Sequence, residues 1–217
     1  MSTPAHVIFD LDGTLVDSAP DLATAVNRMR ADFGLVPLEL AVVRGYVGDG
    51  ARVLVERTLG PEHADLRESG LGSFLRHYGE HLIDETRPYP GIVQLLAALA
   101  AAGLTASVLT NKPEALSRRL LEGLGLDRAF LAIVGGDTLT VKKPQPDGVR
   151  VLMKRAGTEA SRTLLVGDSL VDLATARASG VAFCGVAWGF DPDRLVGANV
   201  PIVTSPAVLG AALVERW

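Results

Sequence analysis

The sequence predicts an α/β fold: a doubly wound parallel sheet with a helical domain inserted after its first strand. Three observations predict it. Short runs rich in Val, Ile and Leu alternate with helical patterns, the rhythm of strand–helix–strand units. The runs are apolar throughout, as strands buried on both faces require. The rhythm then stops between Val16 and Pro88, a gap too long for an ordinary loop.

Taken in order, the first run at residues 5–9 (AHVIF) leads into DLDGT. The gap holds helical patterns at residues 19–33, 38–45, 50–59 and 66–85, with no strand-like run among them. It closes on RPYPG at residues 87–91, a rigid, turn-rich return suited to a boundary or hinge. Further strands are expected at residues 104–109, 131–134, 163–166 and 181–186. Helices are expected at 92–102, 114–124, 147–156 and 170–179, several stopping near Gly103, Gly125, Gly157 and Gly180. The expected organisation is a Rossmann-like core of residues 1–15 and 89–217 with a helical cap at 16–88.

Composition narrows the function. The 217 residues are 48% hydrophobic and 21% charged, enough apolar content for a sizeable core. The net charge is -4 and no basic block occurs, which argues against nucleic-acid or anionic-membrane partners. Cys184 is the only cysteine, so an internal disulfide is excluded and a reducing compartment fits. Residues 1–9 lack the pattern of a signal peptide. The apolar stretch at 92–109 is interrupted by Gln94, Gly103, Thr105 and Ser107 and is no membrane span. The expectation is a cytoplasmic protein, monomeric or homodimeric.

The chemistry rests on where carboxylates fall. Asp10, Asp12, Asp168 and Asp172 all lie just past the carboxyl end of an expected strand, the edge where open parallel sheets bind ligands. Two such charges repel by about 4 kcal/mol at ~4 Å and an effective dielectric near ~20, so a cation should sit among them. Oxygen donors without His or Cys suit Mg²⁺ better than zinc. Lys112 in TNKP and Lys143 in KKPQP add positive charge for an anionic substrate, and phosphate is the natural candidate.

DLDGT at residues 10–14, the strand-ending Thr110 of LTN, Lys143 of KKP and GDSLVD at 167–172 occur in that order. In these four motifs the chain resembles the haloacid dehalogenase superfamily of phosphohydrolases. FDLDGTLVDSAPDL, TNKP, GGDTLTVKKPQP and VGDSLVDLATARASG make it most similar to the phosphoglycolate phosphatase branch, over nearly the whole chain. The resemblance implies hydrolysis of a small phosphorylated metabolite, 2-phosphoglycolate, to glycolate and phosphate. It implies that Asp10 attacks phosphorus and becomes an aspartyl phosphate, while Asp12 protonates the leaving oxygen and then activates water. Thr110 and the Asn111 backbone would hold phosphoryl oxygens, and Lys143 would bridge Asp10 to the phosphate. Mg²⁺ would take Asp10, the Asp12 carbonyl and Asp168, with Asp172 direct or through water. Gly13, Lys112 and Arg44 complete the substrate-binding set, with Arg52 or Arg57 as further cations for the glycolate carboxylate. Dehalogenases lack the second aspartate, because a halide leaves without a proton, so Asp12 points to an oxygen leaving group.

Other readings stay open beside these. Sugar phosphates, nucleotides or pyrophosphate are alternative substrates, and a phosphosugar mutase shares the chemistry. A non-catalytic phosphate-sensing domain would have no need of all the motif side chains together. Asp168 would also cap the helix that follows it, with Asp172 one turn on along the same face. His77, His81 and Glu85 stand four apart on an expected helix and read as a solvated face rather than a metal site. Cys184 reads as a small apolar filler, and Trp188 and Phe190 as packing residues near the site.

Overall fold

A computed structural model describes residues 4–190 and 193–215. Residues 1–3, 191–192 and 216–217 lie outside the described residues, among them the ends of the expected core and part of the segment read for a signal peptide.

In chain order, β1 (His6–Phe9) is followed by β2 (Val16–Asp17) and four helices, α1 (Ala19–Asp32), α2 (Leu40–Arg44), α3 (Ala51–Leu59) and α4 (Arg67–Glu80). Then come β3 (Arg87–Pro88), α5 (Ile92–Ala101), β4 (Thr105–Leu109), α6 (Glu114–Gly123), β5 (Ile133–Val134), α7 (Asp147–Ala156), β6 (Thr163–Gly167) and α8 (Leu170–Ser179). The chain continues through β7 (Ala182–Val186), α9 (Asp193–Val196), β8 (Ile202–Val203) and α10 (Pro206–Glu215). Among the described residues no helix is long and apolar enough to cross a membrane.

The main sheet is parallel, in the order β5-β4-β1-β6-β7-β8. Both of its faces are covered. Val7, Phe9, Val108 and Val166 pack with Leu99 of α5, Leu120 of α6 and Leu209 of α10. Ile8, Leu109 and Leu165 pack with Val149 and Leu152 of α7 and Leu173 of α8. Successive strand residues feed opposite apolar layers, so the strands read as unbroken apolar runs. Strand order reverses at β1, whose register sets Phe9 beside both Val108 and Val166. The loops after β1, β4 and β6 therefore leave the sheet side by side, at the crevice where such sheets bind ligands.

Helices α1 to α4 build their own layer around Val26, Met29, Leu54, Val55, Leu59 and Phe74. The two chain segments that join it to the sheet pair as a short antiparallel ribbon, Val16 with Pro88 and Asp17 with Arg87. This ribbon corrects the expectation of no strand between Val16 and Pro88. The helix expected at 66–85 also ends early. Asp21 is buried and accepts the backbone N–H groups of Glu85 and Thr86 and the Thr86 hydroxyl, at 2.7 to 3.1 Å. Those amides, held by a side chain, cannot join a helical ladder reaching residue 85. Helix α4 ends sooner, at Glu80, where His81 leaves helical angles with φ -128° and ψ 51°. The His77–His81–Glu85 row is broken with it: His77 meets Asp32 at 2.9 Å and His81 meets Asp84 at 2.7 Å. The helix expected at 38–45 covers only Leu40–Arg44. Elements α9, β8 and α10 fall where the sequence suggested none.

Candidate active site

The site lies at the carboxyl edge of β1, β4 and β6. Asp10 follows β1 directly, Thr110 follows β4 and Asp168 follows β6, and all three are buried. Gly13 makes the tight return after β1 possible. It has φ +83°, and a Cβ there would lie 2.1 Å from Asp168 Oδ2. Only glycine brings the DLDGT loop this close to the GDS loop.

One ammonium ties two of these carboxylates together. Lys143 Nζ lies 2.7 Å from Asp10 Oδ1 and 2.7 Å from Asp172 Oδ1. The family resemblance implies that Lys143 bridges Asp10 to phosphate; the structure has it bridging Asp10 to Asp172. Asp172 is fully buried and far from a solvated face. Its second oxygen accepts the Ser169 hydroxyl at 2.5 Å and the Ser169 N–H at 3.2 Å, while the Asp172 N–H donates to the Ser169 hydroxyl at 3.3 Å. The cap of α8 is thus Ser169 in a reciprocal capping box, which corrects the expected Asp168 cap. Asp168 is oriented instead by the Phe190 N–H at 2.8 Å and the Thr14 hydroxyl at 3.4 Å.

Asp10, Asp168 and Asp172 each offer an oxygen within 4.8 Å of the others. Three buried carboxylates face a single ammonium, and their proton affinities reflect the imbalance. Burial raises Asp10 to about 7; Lys143 opposes this, while Asp172 and Asp12 add to it. Burial, Asp10 and Asp172 hold Asp168 well above the usual carboxylate range. Lys143 is driven up by Asp10 and Asp172 although its burial works the other way. A cluster of hard oxygen donors with excess negative charge fits a divalent cation. The Asp12 side chain stands apart from this set. Its Oδ1 accepts the Lys112 ammonium and the Ser18 hydroxyl, both at 2.6 Å.

Above these residues is a cavity of about 360 Å³, at the small end of ligand pockets. Asp10, Asp12, Asp168, Thr110, Asn111 and Lys112 line it from the sheet side, facing Arg44, Arg57 and Tyr78 of the helical layer. Lys143 and Asp172 are not part of its wall. The Thr110 hydroxyl accepts the Lys112 N–H at 3.2 Å. The Asn111 amide donates to the Gly48 and Lys143 carbonyls, at 3.0 and 3.1 Å. Lys142 donates to the Asp49 carbonyl at 2.6 Å, so the glycine turn at 48–50 is bound down onto the sheet edge.

The predicted substrate cations divide. Arg44 lines the cavity, donates to the Gly189 carbonyl at 2.7 Å and lies 5.4 Å from the Phe190 ring centroid; its Nε has no partner among the described residues. Arg52 is turned to the surface against Glu68, so it does not belong to the site. Arg57 lines the cavity and pairs with Asp49 at 2.6 Å. Lys112 is in place, already paired with Asp12. Phe190 borders the cavity and bonds Asp168, beyond the packing role expected of it, while Trp188 donates to the Thr14 carbonyl at 3.0 Å and packs against the core. Cys184 is buried in β7 as expected, with its thiol pushed up to about 11 by burial.

Ser18 and Tyr78 join the site without a signal in the sequence that singles them out. Ser18 precedes α1 and reads as a helix cap, yet its hydroxyl goes to Asp12 instead of an α1 amide. Tyr78, four residues after Phe74 on α4, reads as a core stripe.

Residues 7–186 match the family model of haloacid dehalogenase-like hydrolases. A protein of Rhodospirillum rubrum named phosphoglycolate phosphatase is 44% identical over 205 residues, 90% of this chain and 85% of its own length. A second of that name, from Agrobacterium fabrum, is 40% identical over 96% of this chain and 92% of its own. The crystal structure of a predicted phosphoglycolate phosphatase from Haemophilus somnus superposes with a TM-score of 0.86 at 31% identity, covering 96% of this chain and 97% of the other.

Proposed function

The chain belongs to the haloacid dehalogenase-like hydrolases, and from that premise we propose that it is a Mg²⁺-dependent phosphomonoesterase acting through Asp10, with 2-phosphoglycolate as its substrate. The observation that carries the chemistry is the meeting of Asp10 and Asp168, which line the cavity, with Asp172 and Lys143 buried behind them and Asp12 separately held nearby. The relatives' names support the substrate, a small phosphate ester with a carboxylate, which suits a cavity carrying Arg44 and Lys112.

In this reading Asp10 attacks phosphorus, and the bond to the leaving oxygen breaks as an aspartyl phosphate forms. Lys143 favours the ionised form of Asp10 and aims it, opposing part of what burial does to the carboxylate. Asp12 gives its proton to the glycolate oxygen, then takes one from the water that cleaves the acyl phosphate. Lys112 and Ser18 both engage Asp12 Oδ1, which leaves Oδ2 for the leaving oxygen. Thr110 and the Asn111 backbone take phosphoryl oxygens, and Gly13 lets the DLDGT loop approach them. Asp10, the Asp12 carbonyl and Asp168 would hold Mg²⁺, with Asp172, whose oxygens bond Lys143 and Ser169, direct or through water. Bound there, Mg²⁺ supplies charge neutralisation of the transferring phosphoryl group. The helical layer acts as a cap that keeps bulk water from the acyl phosphate.

The test is phosphate release with Mg²⁺ from 2-phosphoglycolate, hexose phosphates, nucleotides and pyrophosphate. A lead for 2-phosphoglycolate of about a hundredfold in kcat/KM, ~2.7 kcal/mol in transition-state binding, supports the reading. Comparable rates on all esters would remove the substrate assignment, and full turnover by Asp10→Asn would remove the mechanism.

A further inference from the structure

We propose that Tyr78, on the helical cap, is a positioning residue whose ring face holds the Lys112 ammonium against Asp12. Lys112 Nζ lies 4.6 Å from the Tyr78 ring centroid and 2.6 Å from Asp12 Oδ1. Tyr78 is 1% exposed and Lys112 is 6% exposed, so water contributes little to the solvation of this cation. The three residues come from α4, the loop after β4 and the loop after β1, and they meet at the cavity wall.

The chemistry explains why an aromatic ring stands here. A buried ammonium needs more negative surface than one carboxylate oxygen provides. A second carboxylate would supply it, but would repel Asp12 and compete for the same cation. A ring face attracts the ammonium through its quadrupole and adds no net charge, so Asp12 keeps Lys112 to itself. Phe74 fixes the ring's orientation, stacking on Tyr78 with centroids 5.6 Å apart and planes 12° from parallel. The phenol contributes no hydrogen bond, since the Tyr78 hydroxyl has no partner among the described residues. The ring, rather than the hydroxyl, is what Tyr78 brings to the site.

This role rests on the proton-handling function of Asp12 proposed above, and the experiment separates the two. Phosphate release by the unaltered enzyme with Mg²⁺ is measured first; none from any ester would overturn the function itself. Position 78 is then replaced by Phe and by mono-, di- and trifluorophenylalanine, which keep the ring's shape while weakening the attraction of its face. Tyr78→Phe retains kcat/KM within about threefold, and the trifluorinated ring loses roughly tenfold, the scale of one desolvated cation–π contact. The same series in Lys112→Met, read by single-turnover phosphate release, is flat. An active enzyme insensitive to fluorination, or one with equal slopes in both backgrounds, would reduce Tyr78 to a packing residue.

Discussion

Lys143 Nζ lies 2.7 Å from Asp10 Oδ1, with both side chains more than nine-tenths buried. The same ammonium is shared with Asp172, so one cation serves two carboxylates that have little water to solvate them. Its removal leaves those charges uncompensated. Lys143→Met is therefore expected to lower unfolding free energy by about 3 kcal/mol at pH 8, the scale of breaking a buried pair. At pH 5 the loss should shrink, because the carboxylates can then be neutralised by protons. Urea titrations at the two pH values check this, and equal losses at both would contradict the electrostatic account.

Asp168 is the second test of the charge imbalance. Without metal, Asp10, Asp168 and Asp172 repel one another, and a bound divalent cation stabilises the fold by mass action. Millimolar Mg²⁺ should raise the melting temperature of the unaltered protein by several degrees, at about 2–4 °C per kcal/mol for a chain of this size. Asp168→Asn should melt no lower than the metal-free parent, since it removes one repelling charge, and should gain little from Mg²⁺. Its phosphatase activity should fall at least a hundredfold, in line with the loss of a preorganised charge. A full Mg²⁺ shift in Asp168→Asn would place the cation elsewhere.

The sheet and its acidic edge were legible because each follows from local rules. Strands with both faces buried leave apolar runs, and residues placed just after those runs must land at the carboxyl edge, as Asp10, Thr110 and Asp168 do. What sequence spacing could not carry were partnerships across the fold. Asp12 and Lys112 are 100 residues apart, and nothing local to either announces a 2.6 Å pair. Asp21 holds amides 64 and 65 positions away, beyond the end of α4, and no local pattern marks them. Tyr78 sits in an apolar helical stripe that is indistinguishable, by periodicity, from core. Strand β8 has two residues at the sheet edge, too few for a period to register.

Gly13 ties backbone conformation to site geometry. Its φ of +83° is strained for any residue with a side chain, and a Cβ would lie 2.1 Å from Asp168 Oδ2 and 2.8 Å from Asp168 Cγ. Gly13→Ala must push the DLDGT and GDS loops apart, and misplacement of about 1 Å can cost a hundredfold in rate. The expected result is a loss of that size in kcat with a folded protein by circular dichroism. Turnover within a factor of two would show that the loops tolerate the displacement.

His6 gives the fold a pH dependence separate from the site. It is fully buried in β1, with Nε2 2.9 Å from the Ser107 hydroxyl and Nδ1 3.3 Å from the Thr158 hydroxyl. Burial lowers its pKa from 6.5 to about 4. Between those values the unfolded chain binds a proton that the folded protein refuses, so stability falls as pH drops from 6.5 toward 4 and then levels. The full contribution is on the order of 3 kcal/mol, each tenfold change in proton affinity being worth ~1.4 kcal/mol. Asp10 and Asp168 act with the opposite sign, because their raised proton affinity favours the folded state as pH falls. The His6 contribution is therefore read as a difference between the parent and His6→Gln, which keeps a hydrogen-bonding side chain but cannot titrate. The variant should lose stability at pH 7.5 through imperfect packing, and that deficit should narrow, or reverse, by pH 4.5. A deficit that stays constant across the window would mean that His6 is no more reluctant to take a proton when folded than when unfolded.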